Sequence, residues 1–178
     1  MGGNTLTRWA ARHPSDALAL IPSGAGVARA GQPGATPPLQ QPLSPDVPFL
    51  PTGDSLTDGF KQSQPRMFER YLRIRSTATR LEAMRYPRRP APKTLAEREG
   101  MAGRVAAITS PMCIIVGALD PAVPRCEMLH ELVPGSDYHA IAGAPHNVYY
   151  EAAEPYNAIV DAFLAKVMAP AGVANAVP

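Results

Sequence analysis

A chain of 178 residues, 46% of them hydrophobic, has the size and composition of one soluble globular core with appendages. A formal net charge of +2 leaves no electrostatic footprint for nucleic acid or an anionic membrane, and no apolar run approaches the length of a membrane span. The N-terminus lacks the basic and apolar regions of a signal peptide, so a cytoplasmic location is the expectation.

Met1-Gly2-Gly3-Asn4 leads into a helix with Leu6, Trp9 and Ala10 on its apolar side, ending at His13-Pro14. Ala17 to Ile21 then reads as a buried strand. From Pro22 to Gly59 the chain is rich in Pro, Gly, Ser and Gln without sustained periodicity, and the 21 prolines of the sequence cluster in connections like this one. Pro65 to Tyr86 is helical in pattern, with Met67, Phe68, Tyr71, Leu72, Ile74, Leu81 and Met84 spaced for one or two amphipathic helices. The run Pro87-Arg88-Arg89-Pro90-Ala91-Pro92 breaks it. Thr94 to Val105 is a further short helix, and Thr94 with Glu97 has the form of a capping box.

The chemistry lies between Ile108 and Asn157. Met112-Cys113-Ile114-Ile115-Val116 is short, rich in β-branched residues and bounded by Pro111 and Gly117, which fits a fully buried strand. Asp120 follows three residues after Gly117. A helix with Met128, Leu129 and Leu132 on one face is stopped by Pro134-Gly135. Tyr138 to Ile141 forms another strand, and Gly143-Ala144-Pro145 turns the chain to present His146. Two parallel strands thus each deliver a polar residue at the C-terminal edge, where open α/β sheets place their sites. The closing helix starts at Glu154-Pro155 and carries Tyr156, Ile159, Val160, Phe163, Leu164 and Val167 at helical spacing. Residues 169 to 178 read as a frayed tail. Cys113 and Cys126 have neither metal spacing nor a secreted disulfide pattern, so both are expected to be reduced and structural.

Pro111, the strand after it, Gly117-x-x-Asp120-x-x-x-Pro124, Pro134-Gly135-Ser136, Gly143-x-x-His146, Glu151, Glu154-x-x-Asn157 and Phe163-Leu164 together resemble the C-terminal part of the α/β-hydrolase family. The resemblance implies an α/β fold, here a partial one: three readable parallel strands flanked by helices, with a helical lid inserted. It divides the chain into residues 1–22, a helix and strand following the nucleophile elbow; 23–106, the connection and lid; 107–168, the core with acid and histidine; and the tail. Asp120 would be the triad acid and His146 the triad base. Met-Gly-Gly matches the residues that follow the serine of the Gly-x-Ser-x-Gly elbow, so the backbone of Met1 would contribute to the oxyanion hole and the serine would lie ahead of it. The alternative is an ordinary initiator with a loose glycine end. On the family reading the parent enzyme hydrolyses an ester, or a carbon–carbon bond next to a carbonyl, in a small molecule. No cofactor, metal, nucleic acid or membrane is implied. The chain by itself is expected to be an inactive fragment, self-associating through an exposed sheet edge.

A different motif competes. Gly53-Asp54-Ser55-Leu56-Thr57-Asp58-Gly59 matches the nucleophile block of GDSL esterases, which would make Ser55 the nucleophile. Two prolines interrupt the preceding Val47 to Pro51, no Gly-x-Asn-Asp is present, and His146 has Gly143 where that family has an aspartate. Ser23 and Ser136 offer no elbow, and His13, His130 and His139 are expected to be structural. The basic residues from Arg66 to Arg104 are interleaved with Glu69, Glu82, Glu97 and Glu99, and Tyr71 and Tyr86 are too few to alternate with that charge, which fits a solvated face rather than a nucleic-acid surface. A non-catalytic binding protein is the remaining reading.

Overall fold

The computed structural model describes residues 2–27, 56–78 and 104–169. The chain divides into two compact units, residues 1–27 with 101–178 and residues 28–100, so the second is an insertion in the sequence of the first. These boundaries fall at 27/28 and 100/101 rather than at 22/23 and 106/107. Residues Ser23 to Val27 still bond to the first unit, and Val105 is part of its core.

That first unit is built on β1, Cys113–Gly117, in which every residue is buried. β2, Asp137–Ile141, pairs with it in parallel, Cys113 opposite Asp137 and Gly117 opposite Ile141. On the other side of β1 the chain makes two parallel bridges, Leu20 to Met112 and Ser23 to Ile115. The backbone bonds Leu20 N to Pro111 O (2.9 Å), Cys113 N to Leu20 O (2.9 Å), Ile115 N to Pro22 O (3.1 Å) and Gly24 N to Ile115 O (2.9 Å) follow one register. The missing rung is that of Pro22, which has no N–H to donate. The third parallel strand is therefore present, interrupted by one proline, and it begins pairing at Leu20 rather than Ala17. Among the described residues no further strand pairs with the outer edge of this segment or of β2.

Alternation along these strands sorts the core into two layers. Leu20, Met112, Ile114 and Val116 face one way, onto Ala10, Val105, Ile108, Cys126 and Leu129. Cys113 and Ile115 face the other way, onto Phe163, with Ala19, Ile21, Ile141, Ile159 and Val160 around them. The first layer is closed by α1, Gly2–Ala10, and by the helix Val123–Leu132. The second is closed by the long helix Ala153–Met168.

The face of α1 differs from expectation. Thr7 and Ala10 are buried, whereas Trp9 is 42% exposed and stacks on His13 at 4.9 Å between ring centroids. Leu6, Thr7 and Ala10 form the inward stripe, and Trp9 sits about 100° round from Ala10. His13 Nδ1 also lies 3.1 Å from Asp16 Oδ2.

In the inserted unit, α2, Asp58–Ser63, is capped by the Thr57 hydroxyl, which accepts from Phe60 N at 3.1 Å. α3 runs from Pro65 to Ala78. Tyr71 is buried and Phe68 and Leu72 are half-buried, but Met67 and Ile74 are exposed, so the apolar stripe is narrower than the spacing implied. α2 was not legible beforehand. The expected helical residues 79–86, and those from Thr94 through 103, lie outside the described residues.

Both cysteines are free and buried. Burial, reinforced by Asp137, pushes the Cys113 thiol up to about 11. Burial, reinforced by Asp120, pushes Cys126 up to about 12. A thiol whose folded pKa is raised favours the native state below its unfolded pKa of 9.0, and that contribution is lost as pH climbs from there to 11–12. Unfolding free energy is therefore expected to fall between pH 9 and 11 in urea titrations, less steeply for Cys126→Ala. An unchanged slope in that variant contradicts the assignment.

Candidate active site

The carboxylate and the imidazole are set by two loops that leave the same rim of the sheet. β1 ends at Gly117, and the loop after it is stitched to its neighbour: Ala118 N donates to Ile141 O (2.9 Å) and Leu119 N to Ala144 O (2.9 Å). Asp120 N closes the turn on Gly117 O at 2.9 Å. The helix that follows, α4, Val123–Leu132, has Pro124 in its first turn, where a missing N–H costs nothing. Asp120 is itself the anchor of the approach to α4, since its Oδ1 accepts from Ala122 N at 2.8 Å.

β2 is followed by Gly143 at φ +70, a left-handed turn that brings Ala144 and Pro145 across the end of β1. The carbonyl oxygens of Ala144 and Pro145 lie where a side chain on Gly117 would stand, so only glycine lets the two loops meet. His146 comes next. Its Nδ1 lies 2.7 Å from Asp120 Oδ2, the short distance of a charge-assisted bond. The two ends of this pair are unequally wet: the Asp120 side chain is 3% exposed and that of His146 is 47% exposed. The acid is held dry while the ring can meet another molecule.

A third segment flanks the pair. Gly24, at φ +55, sits against it so closely that a Cβ there would lie 2.9 Å from Asp120 Oδ2 and 3.1 Å from His146 Nδ1. Gly3, in the first turn of α1, packs on Ala25, the next residue. The N-terminal end of α1 is therefore two contacts from the imidazole. Asn147 is buried beside His146, and its Oδ1 accepts from the Tyr149 hydroxyl at 3.0 Å. Tyr149 belongs to α5, Val148–Glu151, a short helix the sequence did not announce.

Of the expected site residues, Asp120 and His146 are brought together, while Met1 and Ser55 lie outside the described residues. His130 Nδ1 lies 2.8 Å from Ser136 Oγ and its ring stacks on Tyr138, and His139 is exposed on β2. Gly24, Asn147 and Tyr149 went unread. Only Gly24 carried a local signal, a glycine directly after a strand ending in Pro22-Ser23. Among the described residues no three His, Cys, Asp or Glu side chains cluster as a metal site, and no helix is long and apolar enough to cross a membrane.

No family model matches the sequence, and no curated protein matches it. Solved structures do. An enol-lactonase from Burkholderia xenovorans LB400 superposes with a TM-score of 0.63 at 20% identity, covering 92% of this chain and 62% of that one. Est816, described as an N-acyl homoserine lactone degrading enzyme, gives 0.62 at 15% identity over 91% of this chain and 64% of its own. A thermophilic esterase from Thermogutta terrifontis gives 0.57 at 18% identity over 93% and 62%. The fold is that of the α/β hydrolases. The chain spans less than two thirds of the length of these α/β-hydrolase structures, and identity this low carries the fold alone.

Proposed function

We propose that this chain supplies the acid and the base of a serine-type hydrolase that cleaves a small-molecule ester, a class that includes lactones. The 2.7 Å contact between Asp120 Oδ2 and His146 Nδ1, at the C-terminal ends of neighbouring parallel strands, carries the reading. With Asp120 accepting from Nδ1–H, the lone pair of Nε2 is left on the exposed side of the ring, free to take a proton from an attacking hydroxyl. The buried carboxylate then stabilises the imidazolium that forms. Enzymes that act on lactones and esters are among the proteins of the same fold.

The hydroxyl belongs at the N-terminal end of α1. Gly2-Gly3 opens that helix as the elbow pattern requires, and Gly3 and Gly24 connect it to the dyad. There the backbone N–H groups of the first turn would face the oxyanion, with the helix dipole in support. The unit of residues 28–100, inserted between the third strand and β1, would serve as the lid that sets substrate choice.

The test is hydrolysis of p-nitrophenyl butyrate by protein expressed from the natural reading frame, with any codons that precede Met1. His146→Ala is expected to lower kcat/KM about 10⁶-fold. Undiminished hydrolysis in that variant, or fluorophosphonate labelling of Ser55, overturns the proposal.

A further inference from the structure

Tyr156 lies on α6, Ala153–Met168, and makes no contact with Asp120 or His146 among the bonds described, yet it touches what holds them on both sides. Its hydroxyl shares a 2.7 Å hydrogen bond with Ser23 Oγ across 133 residues of sequence. Ser23 is bridged to Ile115 and precedes Gly24, the residue whose backbone lies against the Asp120–His146 bond. The ring of Tyr156 meets that of Tyr149 edge-on, 6.3 Å between centroids at 71°. Tyr149 in turn donates to Asn147, the buried neighbour of His146.

We infer that Tyr156 is a positioning residue for the Asp120–His146 pair, clamping the Ser23-Gly24 turn against one side of the pair through its hydroxyl and the His146 loop through its ring. The inference rests on the functional reading above. Its physical basis is the exposure of the imidazole. A ring that must face open solvent on one side cannot be fixed by burial, so its orientation depends on the backbone walls beside it. The Gly24 wall is a left-handed turn at the end of a strand whose ladder lacks the Pro22 rung. The backbone bond from Gly24 N to Ile115 O holds the turn on its β1 side, and the Ser23–Tyr156 bond adds a side-chain tie to the longest helix of the unit. Once the turn lifts, water reaches the Asp120–His146 hydrogen bond and competes for it.

The experiment is proton NMR of the whole chain with ¹⁵N-labelled histidine, comparing the unaltered protein with Tyr156→Phe, Ser23→Ala, the double variant and Tyr138→Phe. The unaltered protein is expected to show a slowly exchanging low-field Nδ1 proton from His146. Tyr156→Phe and Ser23→Ala each remove half of one hydrogen bond and should each abolish the resonance or speed its exchange severalfold. The double variant should do no more than either alone, because the two changes break the same link. Tyr138 serves as the control, for among the described residues its hydroxyl has no hydrogen-bond partner and its ring packs in the opposite layer. Tyr138→Phe should leave the signal unchanged, and a merely structural tyrosine at 156 would behave likewise. A signal that persists unaltered in both Tyr156→Phe and Ser23→Ala overturns the positioning role and leaves the functional reading standing. Absence of the signal from the unaltered protein overturns both.

Discussion

Asp120→Asn is expected to leave the fold intact and to lower hydrolysis by the natural-frame protein by about 10⁴-fold, the cost of a wrong histidine tautomer in a serine-type triad. Both oxygens of Asp120 are committed, Oδ1 to Ala122 N at 2.8 Å and Oδ2 to His146 Nδ1 at 2.7 Å. An asparagine can keep only one acceptor. The buried Ala122 N–H claims it, because a buried donor left unpaired costs about 1–3 kcal/mol. The amide NH₂ then faces the imidazole and obliges Nδ1 to accept, which moves the ring proton to Nε2. An Nε2 that carries a proton cannot take one from a hydroxyl. The tautomer is read directly from ¹⁵N shifts, and an asparagine variant with Nδ1 still protonated, or with hydrolysis undiminished, contradicts the role assigned to Asp120.

Gly117→Ala should be strongly destabilising to the first unit. A Cβ at that position would overlap the Ala144 and Pro145 carbonyl oxygens, and both are backbone, so no side chain can swing aside. Overpacking of this kind costs about 1–3 kcal/mol, and the upper end applies where the obstacle is backbone. For a chain of this length that is roughly 6–12 °C in Tm. The two glycines at positive φ nearby provide the contrast. A Cβ on Gly135 or Gly143 meets nothing within 4 Å, so alanine there costs only backbone strain, about 1 kcal/mol. Thermal unfolding of the three alanine variants ranks them. Equal losses at Gly117 and Gly135 would show that the loop over Gly117 is free to move. Because the displaced segment leads straight into His146, Gly117→Ala should also weaken the acid–base pair while Gly135→Ala does not.

The parts of this architecture that rest on local composition were visible in the sequence. β1 announces itself as a β-branched run between Pro111 and Gly117, and Asp120 and His146 follow strand ends marked by glycine and proline, whereas the 2.7 Å contact between them is visible only in the structure. The apolar run Ala17 to Ile21 sets the third strand about three residues early, because proline ordinarily ends a strand. Here Pro22 sits inside the ladder and removes one rung without breaking register. Helical spacing puts Trp9 beside Leu6 and Ala10 on the apolar side, but Thr7 shares the buried face with Ala10 and the indole stacks outside on His13. What the sequence could not supply was the shell around the dyad. Ser23 with Tyr156, and Gly24 with His146, are pairs far apart in the chain that carry no periodicity and no motif.

The account stands or falls on the protonation of one ring among the four histidines. A ¹⁵N-histidine spectrum of the unaltered chain near neutral pH reads it without substrate, nucleophile or lid. The structure predicts His146 held as the Nδ1–H form, its proton shared with the buried Asp120 carboxylate, and loss of that resonance in Asp120→Ala. A spectrum in which His146 carries its proton on Nε2, or exchanges it as freely as exposed His139, would contradict it.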